Sequence, residues 1–411
     1  MGARRSALLV LLLTVFVDLV GFGIIIPLLP VYAKSYGATG MELGLVLSLF
    51  SLMQFLTAPF WGRLSDRIGR RPVLIVTLFI SAAGYTILAL ARSFEVILLS
   101  RVVAGLGGAN IAVAQAMIAD IYPPKERAKG MGMIGAAFGL GFVFGPAIGG
   151  LAVNWGGPTG PGWAAAVICG VNAIAAIFII KETRKGDVQP AKGSLSPFAV
   201  FHGLRRVLQL PGVGRWILAA AVAMLAFSAF EVTYSLFVQS RLGFTESGIY
   251  WIFVYIGLLI VLVQGGLVRK VVPRFGERRL VIWGAFITGA GMLVLALAGN
   301  LATLLAASLL IAVGQGIRSP SVQSLISRGA SAHEQGHVLG TAQGMLAIAR
   351  IVGPILGGWL YGMSTEPELG IVRYALSFIA AAVLLALAGW IAVGGKDAVD
   401  APEPATAPET G

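Results

Sequence analysis

Long apolar stretches separated by short polar connections run through almost the whole chain. Within each stretch apolar residues occupy every face rather than every second position, so the pattern indicates helices and not the strands of a membrane barrel. A hydrocarbon core about 30 Å thick requires roughly 20 helical residues. By that measure the sequence predicts twelve membrane-spanning helices, at approximately 6–33, 42–62, 73–92, 95–119, 128–153, 162–181, 213–240, 247–270, 280–298, 302–325, 336–360 and 370–393.

Composition supports a multi-pass membrane protein and indicates no catalytic chemistry. Of the 411 residues 57% are hydrophobic and only 12% are charged, whereas soluble domains carry about 25% charged residues. The single cysteine, Cys169, lies in an apolar span, and the three histidines have no cysteine or paired carboxylates at metal-binding spacing. No phosphate-binding loop and no G-x-S-x-G motif occurs. We therefore expect no metal, no cofactor and no enzymatic activity.

Lysine and arginine are unevenly divided between the two sides of the predicted membrane. If the N-terminus is cytoplasmic, 23 of the 30 fall in the even-numbered connections or at the two ends, and only Lys34, Arg92, Arg241 and Arg373 fall on the opposite side. The positive-inside rule then predicts that both termini are cytoplasmic. The net charge of +12 is explained by this topology and by contact with anionic membrane lipid, so no nucleic-acid partner is expected.

Two pairs of similar segments indicate an internal repeat. The segment "FGPAIGG" at 144–150 returns as "VGPILGG" at 352–358, and "RIGRR" at 67–71 returns as "RFGERR" at 274–279, with offsets of 208 and 207 residues. Parallel six-helix halves around a midplane site are a transporter architecture.

The repeat divides the chain into four predicted parts. Residues 1–181 and 213–395 form six-helix bundles, 182–212 form a cytoplasmic linker, and 396–411 form a disordered tail. In the linker, "SPFAVFHGLRRVLQL" predicts an amphipathic helix on the membrane surface. A disordered linker is the alternative.

Four stretches carry a resemblance to a known family: "DLVGFGIIIPLLP" at 18–30, "GRLSDRIGRRPVL" at 62–74, "RVVAGLGGA" at 101–109 and "GLGFVFGPAIGG" at 139–150. With them the chain resembles the twelve-helix drug/proton antiporters of the major facilitator superfamily, a group that includes the tetracycline/proton exchangers. The resemblance implies an all-α fold of two six-helix pseudo-repeats. It also implies a monomer of the bacterial inner membrane, which exports small amphipathic molecules in exchange for protons by alternating access.

The resemblance assigns a conformational latch to the connection after the second span. In the family this loop joins the two halves on the cytoplasmic side and holds the outward-facing state. The corresponding residues here are Gly62, Asp66, Arg67, Gly69, Arg70 and Arg71, with Asp120 at the end of span four as an acidic partner of the arginines. Anchoring by the positive-inside rule alone is the alternative, although it does not account for Asp66.

The fifth span carries a glycine motif that resembles one associated with antiporters. Small residues on one face of the helix permit close packing, and Pro146 removes a backbone donor, so a bend and a close approach occur together. We expect a moving interface between the halves here. Ordinary tight packing of membrane helices is the alternative. The motif consists of Gly141, Gly145, Pro146, Gly149 and Gly150.

Charges inside the spans indicate the coupling site, because a charged group at the bilayer centre is costly and faces a cavity or a partner. Counted at 1.5 Å per residue, Asp18 and Arg101 have nearly the same depth. A carboxylate and a guanidinium that meet there make a proton switch, and a static ion pair is the alternative. Glu231 in span seven is the rival coupling acid.

Further polar groups in the spans are candidates for binding the substrate. Spans three and nine have no acidic residue, which departs from the tetracycline exchangers, and the C-terminal half adds two arginines. An anionic or zwitterionic amphiphile would suit such a cavity, so an organic-anion facilitator or exchanger is the alternative function. A membrane enzyme or receptor would need a reactive cluster or a large soluble domain. The candidates are Gln54, Asn110, Gln115, Glu231, Gln239, Gln315, Arg318, Gln343 and Arg350.

Overall fold

The protein is described by a computed structural model, which covers residues 2–108, 110–122, 127–184, 213–329 and 335–394. In these ranges the regular structure is entirely helical. The predicted amphipathic segment of the linker and the predicted disordered tail lie outside the described residues.

The first half consists of six long helices. Two of them are interrupted, α1 between Ile25 and Leu29 and α4 between Gly107 and Asn110. The bounds are α1, Gly2–Ile25 with Leu29–Ser35; α2, Gly40–Ile68; α3, Arg70–Ala89; α4, Phe94–Gly107 with Asn110–Ile121; α5, Arg127–Gly156; and α6, Gly160–Ile179.

The second half repeats this order with one interruption, a π-helical turn in α8 at Val263–Leu267. The bounds are α7, Val213–Leu242; α8, Glu246–Leu262 continued by Val268–Phe275; α9, Glu277–Ala296; α10, Leu301–Arg328; α11, Gln335–Met363; and α12, Leu376–Val393. A 3-10 turn at Pro367–Val372 precedes α12.

The prediction of twelve spans is confirmed. Eleven stretches are long and apolar enough to cross a membrane, and one of them, Gly139–Ile179, is 41 residues long. It contains most of α5 and all of α6, which are joined by a 3-10 turn at Gly157–Thr159. The real helices extend beyond the predicted ends because polar residues continue them outside the hydrocarbon core. For example, α2 runs to Ile68, six residues past the predicted end.

Local chemistry sets several helix boundaries. A capping box begins α2, where the Thr39 backbone N–H donates to the Glu42 carboxylate over 2.9 Å. A second capping box begins α10, where the Asn300 side chain accepts from the Thr303 N–H at 2.9 Å. Gly69 separates α2 from α3 with φ of 106°, a conformation that side chains with a Cβ rarely adopt.

Small residues let the helices of each half pack at close range. In the first half a Cβ at Gly84 of α3 would collide with Ala104 of α4. In the second half a Cβ at Gly284 of α9 would collide with the backbone of α10 at Gly314. Such contacts replace the hydrophobic drive that helices lack in lipid.

The two faces of the molecule differ in charge. We call the side on which α2 ends and α3 begins the arginine-rich side, because it carries Arg63, Arg67, Arg70 and Arg71. The opposite side, on which α1 ends and α2 begins, is the arginine-poor side.

Candidate functional site

The two halves meet on the arginine-poor side through α2 and α11. A Cβ at Gly44 would overlap the backbone of Pro354 and Ile355, and Gly358 fits against Gly44 in return. One turn further along α2, the Ser48 hydroxyl donates to the Ile351 carbonyl over 2.6 Å. Because only glycine leaves room for this approach, the contact depends on backbone surfaces fitting together.

A second contact between the halves joins α5 and α8 at the same level. The ring of Tyr250 lies against Gly149 and Gly150, and its hydroxyl donates to the Ile24 carbonyl of α1 over 2.7 Å. Tyr250 is fully buried. The glycine motif of α5 therefore provides the notch that receives an aromatic ring from the other half.

Hydrogen bonds close the outer end of this interface. The Lys34 ammonium donates to the Ser240 hydroxyl at 3.0 Å and to the Tyr361 hydroxyl at 3.4 Å, joining the end of α1 to α7 and α11. The Ser240 and Tyr361 hydroxyls are themselves 3.0 Å apart. The arginine-poor side is thus closed in this conformation.

On the arginine-rich side the same helices diverge. A Cβ added at Gly62 of α2, Gly265 of α8 or Gly340 of α11 would meet no atom within 4 Å among the described residues. The last segment of α8, Val268–Phe275, has no buried residue. The central space between the halves therefore opens toward the arginine-rich side.

The predicted glycine motif of α5 serves two contacts rather than one. Gly141 and Gly145 pack on α1 of their own half, at Leu19 and Gly23, whereas Gly149 and Gly150 face the other half. Pro146 lies inside α5 between the two sets. The expectation of an interface between halves thus describes only the last two glycines in this conformation. The first pair is ordinary close packing.

The arginine-rich loop forms its ion pairs within the first half. Arg70 lies 2.7 Å from the Asp66 carboxylate and 3.2 Å from that of Asp120, and its Nη1 also donates to the Ser65 hydroxyl at 2.7 Å. The proximity of Asp120 agrees with the sequence prediction. The predicted contact of Asp66 across the interface differs from this structure, because the halves are apart on this side and the neighbouring Arg70 takes the carboxylate.

Glu182, just after α6, holds the loop in place. Its carboxylate accepts the N–H groups of Arg70 at 3.0 Å and Arg71 at 3.1 Å, the first donors of α3. Arg184 then donates to the Arg67 carbonyl at 2.7 Å, and Arg71 donates to the Ile177 carbonyl at 2.6 Å. Partial burial acts to raise the pKa of Glu182, but the backbone N–H groups that donate to it outweigh that effect and lower it.

Asp18 is buried inside the first half. One carboxylate oxygen accepts from the Asn110 amide nitrogen of α4 at 2.6 Å. The other oxygen, Oδ1, and the Asn110 Oδ1 are both buried and have no hydrogen-bond partner within the described part of the chain. Leu74 and Leu78 of α3 line the remaining space beside the carboxylate. An ionisable group in such surroundings can change its protonation state without losing an ion pair.

Arg101 does not pair with Asp18, contrary to the prediction. Its Nε donates to the Ser100 hydroxyl at 3.2 Å, and its guanidinium lies 5.9 Å from the centre of the Tyr85 ring. The residue of α4 that does reach Asp18 is Asn110, nine residues further on and about 13 Å along a helix. Depths counted from predicted helix ends erred because α4 is longer than the hydrocarbon core requires.

The interruption of α4 lies beside Asp18, and side chains of α2 accompany it. The Gln54 amide donates to the Gly108 carbonyl at 2.6 Å, and the Trp61 indole donates to the Leu106 carbonyl at 2.8 Å. These carbonyls are at the end of the first helical segment of α4, where intrahelical partners run out. Gln54 and Asn110 are therefore engaged within the first half and not free for substrate.

The second half has a looser set of charges. Glu231 of α7 and Arg350 of α11 are half-buried and act on each other electrostatically, although they are not within ion-pair distance among the described residues. Arg318 is buried in α10 and donates to Gln315. Gln239 is half-buried, whereas Gln115 and Gln343 are exposed. The predicted substrate residues thus form separate groups.

Sequence reasoning missed Tyr250, Lys34 and Glu182. Glu182 stands in "KETR", which was assigned to a polar linker, and nothing in its pattern indicates a contact with a loop 110 residues earlier. Tyr250 could have been found from the repeat, since it stands in α8 about 207 residues after Gly44 of α2.

The chain belongs to the major facilitator superfamily. The family's model matches residues 11–275 and 270–410, so the predicted superfamily and the twelve-helix fold class are confirmed.

Relatives over nearly the whole chain include drug-resistance proteins. The tetracycline resistance protein, class C, of Escherichia coli is 32% identical over 378 residues, covering 89% of this chain and 92% of the relative. Multidrug resistance protein 2 of Bacillus subtilis is 30% identical and covers 88% and 90%. The quinolone resistance protein NorA of Staphylococcus aureus is 26% identical and covers 89% and 92%. These names agree with the group that the sequence motifs indicated.

Solved structures share the fold. The human organic anion transporter MFSD10 (TETRAN) superposes with a TM-score of 0.71 at 26% identity, covering 95% of this chain and 99% of that one. A bacterial homologue of the lysosomal transporter Spinster, solved in an inward-facing and unoccupied conformation, has a TM-score of 0.72 at 19% identity, covering 95% and 96%.

Proposed function

We propose that the protein exports amphipathic small molecules from the cell in exchange for protons, by alternating access between the two halves. The observation that carries the proton coupling is the buried Asp18, whose carboxylate has one unpartnered oxygen and no cation within ion-pair distance in the described structure. The drug-resistance relatives support export as the direction of transport.

The arginine-rich side is the cytoplasmic side in this proposal, so both termini are cytoplasmic. The positive-inside rule supports this orientation. The conformation described above is then inward-facing, with substrate entering from the cytoplasm. In the outward-facing state the arginine-rich loop closes against the second half, and Asp66 exchanges its contact with Arg70 for contacts across the interface. The protein works as a monomer in a bacterial inner membrane, with lipid and no nucleic acid as its surroundings.

The pair Glu231 and Arg350 is the centre of the proposed substrate site. Both side chains come from helices that pack at Gly353 and Ser228, and their charges are close without forming a direct ion pair. A substrate that carries both a cationic and an anionic group would fit between them. Proton release and binding at Asp18 occur elsewhere, inside the first half, so coupling and substrate recognition use different residues.

A second candidate function is transport of organic anions without proton exchange. The two arginines of the second half, Arg318 and Arg350, face only one acid, Glu231, among the described residues. The human relative in structure is an organic anion transporter. A net positive charge at the site favours anionic substrates.

Reconstitution in vesicles tests both candidates. Purified protein is inserted into proteoliposomes, and uptake of tetracycline, a quinolone and an organic anion is followed with and without an imposed pH gradient. Accumulation that requires the gradient and collapses with a protonophore supports proton exchange. Gradient-independent equilibration of the anion alone supports the second candidate. A fusion reporter after Lys396 that is active only in the cytoplasm supports the orientation.

A further inference from the structure

The Asn110 amide is placed to respond to the charge state of Asp18. In the structure its nitrogen donates to one carboxylate oxygen over 2.6 Å, while the amide oxygen Oδ1 and the second carboxylate oxygen Oδ1 of Asp18 both lack partners among the described residues. A charged carboxylate only accepts hydrogen bonds, whereas a protonated one also donates. The unpartnered amide oxygen is the acceptor that a protonated Asp18 requires.

Protonation of Asp18 therefore changes the bond between the two side chains. A carboxylate binds the NH₂ group of Asn110, and a carboxylic acid binds its oxygen instead. The amide turns over, or the two side chains shift, so that a donor meets an acceptor in each state. No ion pair has to be broken, and the cost of an unsatisfied buried polar group favours the matching arrangement in each state.

Asn110 begins the second helical segment of α4, and the end of the first segment is bonded to α2. The Gly108 carbonyl accepts from Gln54, and the Leu106 carbonyl accepts from Trp61. Both donors lie on the part of α2 that approaches the arginine-rich loop. A movement of Asn110 is thus passed through the break in α4 to α2, the helix that contacts the other half.

We propose that Asn110 senses the protonation of Asp18 and that Gln54 and Trp61 are positioning residues that pass the change to α2. The inference rests on the proposed role of Asp18 as the coupling acid. It makes the opening of the arginine-rich side depend on hydrogen bonds to two α4 carbonyls.

The groups around Asp18 do not offer an equally direct route. The titratable and charged neighbours are Tyr85 of α3, Arg101 of α4 and Cys169 of α6. None of them has a hydrogen bond to Asp18 in the described structure. From α5 the nearest contacts are the glycines at 141 and 145, which carry no polar side chain.

The second half shows that the break is not required by the fold. Its counterpart of α4 is α10, which is a continuous helix from Leu301 to Arg328. The position equivalent to Asp18 is Leu225, counted 207 residues on. The interruption and the buried acid therefore occur together in the first half, and neither occurs at the matching place in the second.

Spectroscopic distances between labels test the relay. In a Cys169→Ala background, spin labels are attached at Phe60→Cys on α2 and Leu267→Cys on α8, both exposed on the arginine-rich side. The distance is measured in nanodiscs between pH 5 and pH 9, and the protonation of Asp18 is followed by the infrared carboxylic-acid band that disappears in Asp18→Asn.

The relay predicts that sensing and movement separate. Gln54→Leu and Trp61→Phe each keep the infrared titration of Asp18 but lose most of the pH-induced distance change. Asn110→Leu alters both. Thr57→Val is the matched control, because the Thr57 hydroxyl bonds only the Met53 carbonyl of its own helix, and it should respond as the background protein does.

Two outcomes would overturn the inference, and they differ in what else they affect. If Gln54→Leu and Trp61→Phe follow the background response while Asp18→Asn does not respond, the coupling acid stands and the relay through α2 is wrong. If Asp18→Asn itself keeps the full pH response, the proposed coupling site fails and the relay fails with it.

Discussion

The two halves of the molecule share one scaffold and differ in where they place charge. In the first half a single acid, Asp18, is enclosed by its own bundle and bonded to an amide. In the second half Glu231 stands six positions further along the equivalent helix, about 9 Å by helical rise, and lies near Arg350. The comparison assigns proton binding to the first half and substrate recognition to the second.

The contacts between the halves are also unequal. At one of them Gly44 of α2 lets the backbone of α11 approach, and at the other Tyr250 of α8 fills a notch at Gly149 and Gly150 of α5. A small residue meets bulk in one case, and a bulky residue meets glycine in the other. The same closure is thus reached by two packings, which makes each contact separately testable.

The largest effect is expected from Asp18→Asn. The amide cannot release a proton, so accumulation driven by a pH gradient should fall to background while downhill exchange of substrate continues. Transport in proteoliposomes with and without the gradient measures both. Glu231→Gln is the matched variant in the other half and should reduce substrate binding while coupling persists. The reverse pattern would place the coupling acid in the second half.

Gly44→Val should prevent closure of the arginine-poor side. The new side chain would overlap the backbone of Pro354 and Ile355, so transport should fall about tenfold, which corresponds to a cost of about 1.4 kcal/mol for the closed state. Crosslinking between cysteines at Ser48 and Ile351 measures closure. Gly156→Val is the control, because no atom lies within 4 Å of a Cβ there. Normal crosslinking in the Gly44 variant would show that the fit is not required.

Arg350→Ala should weaken export of anionic substrates more than that of cationic ones. Removing the guanidinium leaves the Glu231 carboxylate without its nearest positive charge, so cations are favoured and anions disfavoured. Competition between substrates of opposite charge measures the ratio. Arg269→Ala, at an exposed position at the end of α8, is the control. Equal losses for both substrate classes would assign Arg350 a structural role.

Asp66→Asn should shift the conformational balance more modestly. In the inward-facing state the carboxylate pairs only with Arg70, an exposed i,i+4 contact worth about 0.5 kcal/mol. The proposed contacts across the interface exist only in the outward-facing state, so the variant should populate that state less. Accessibility of a cysteine at Gly340 to a water-soluble reagent measures the shift. Unchanged accessibility and transport would leave anchoring as the only role of the aspartate.

Glu182→Gln should have the smallest effect, a loss of stability of about 0.5 to 1 kcal/mol after allowance for solvent. The lowered pKa of Glu182 gives the sign of the pH dependence. The contribution is present above the pKa of the unfolded chain and is lost as the pH falls through the lower pKa of the folded protein. Thermal unfolding of the wild type and the variant should therefore converge in acid. A constant difference at all pH values would show that the charge is not involved.

Sequence reasoning succeeded where one helix carries the whole signal. The twelve apolar spans follow from hydropathy alone, and the contact of Arg70 with Asp120 followed from both residues lying at helix ends on one side. It failed where the position of a side chain depends on how two helices slide past each other. Arg101 missed Asp18 because an error of a few residues in the end of α4 moves a side chain by one or two turns.

The glycine motif of α5 shows a different limit. The spacing of Gly141, Gly145 and Gly149 correctly indicates a face that permits close approach, but spacing does not reveal which helix approaches. The structure puts α1 against the first two and α8 against the third. Glu182 was missed for a related reason, since a carboxylate that caps a helix from a distant segment leaves no local pattern.

The short turn between α5 and α6 has a consequence for the surface that the protein presents to the outside. Only three residues, Gly157–Thr159, join the two helices, and Trp155 and Trp163 on either side are exposed where indole rings favour the lipid headgroups. The headgroup layer therefore lies level with the turn. An antibody or protease arriving from that side finds almost no chain above the lipid at this point, and cleavage there would require the helix ends to unwind first.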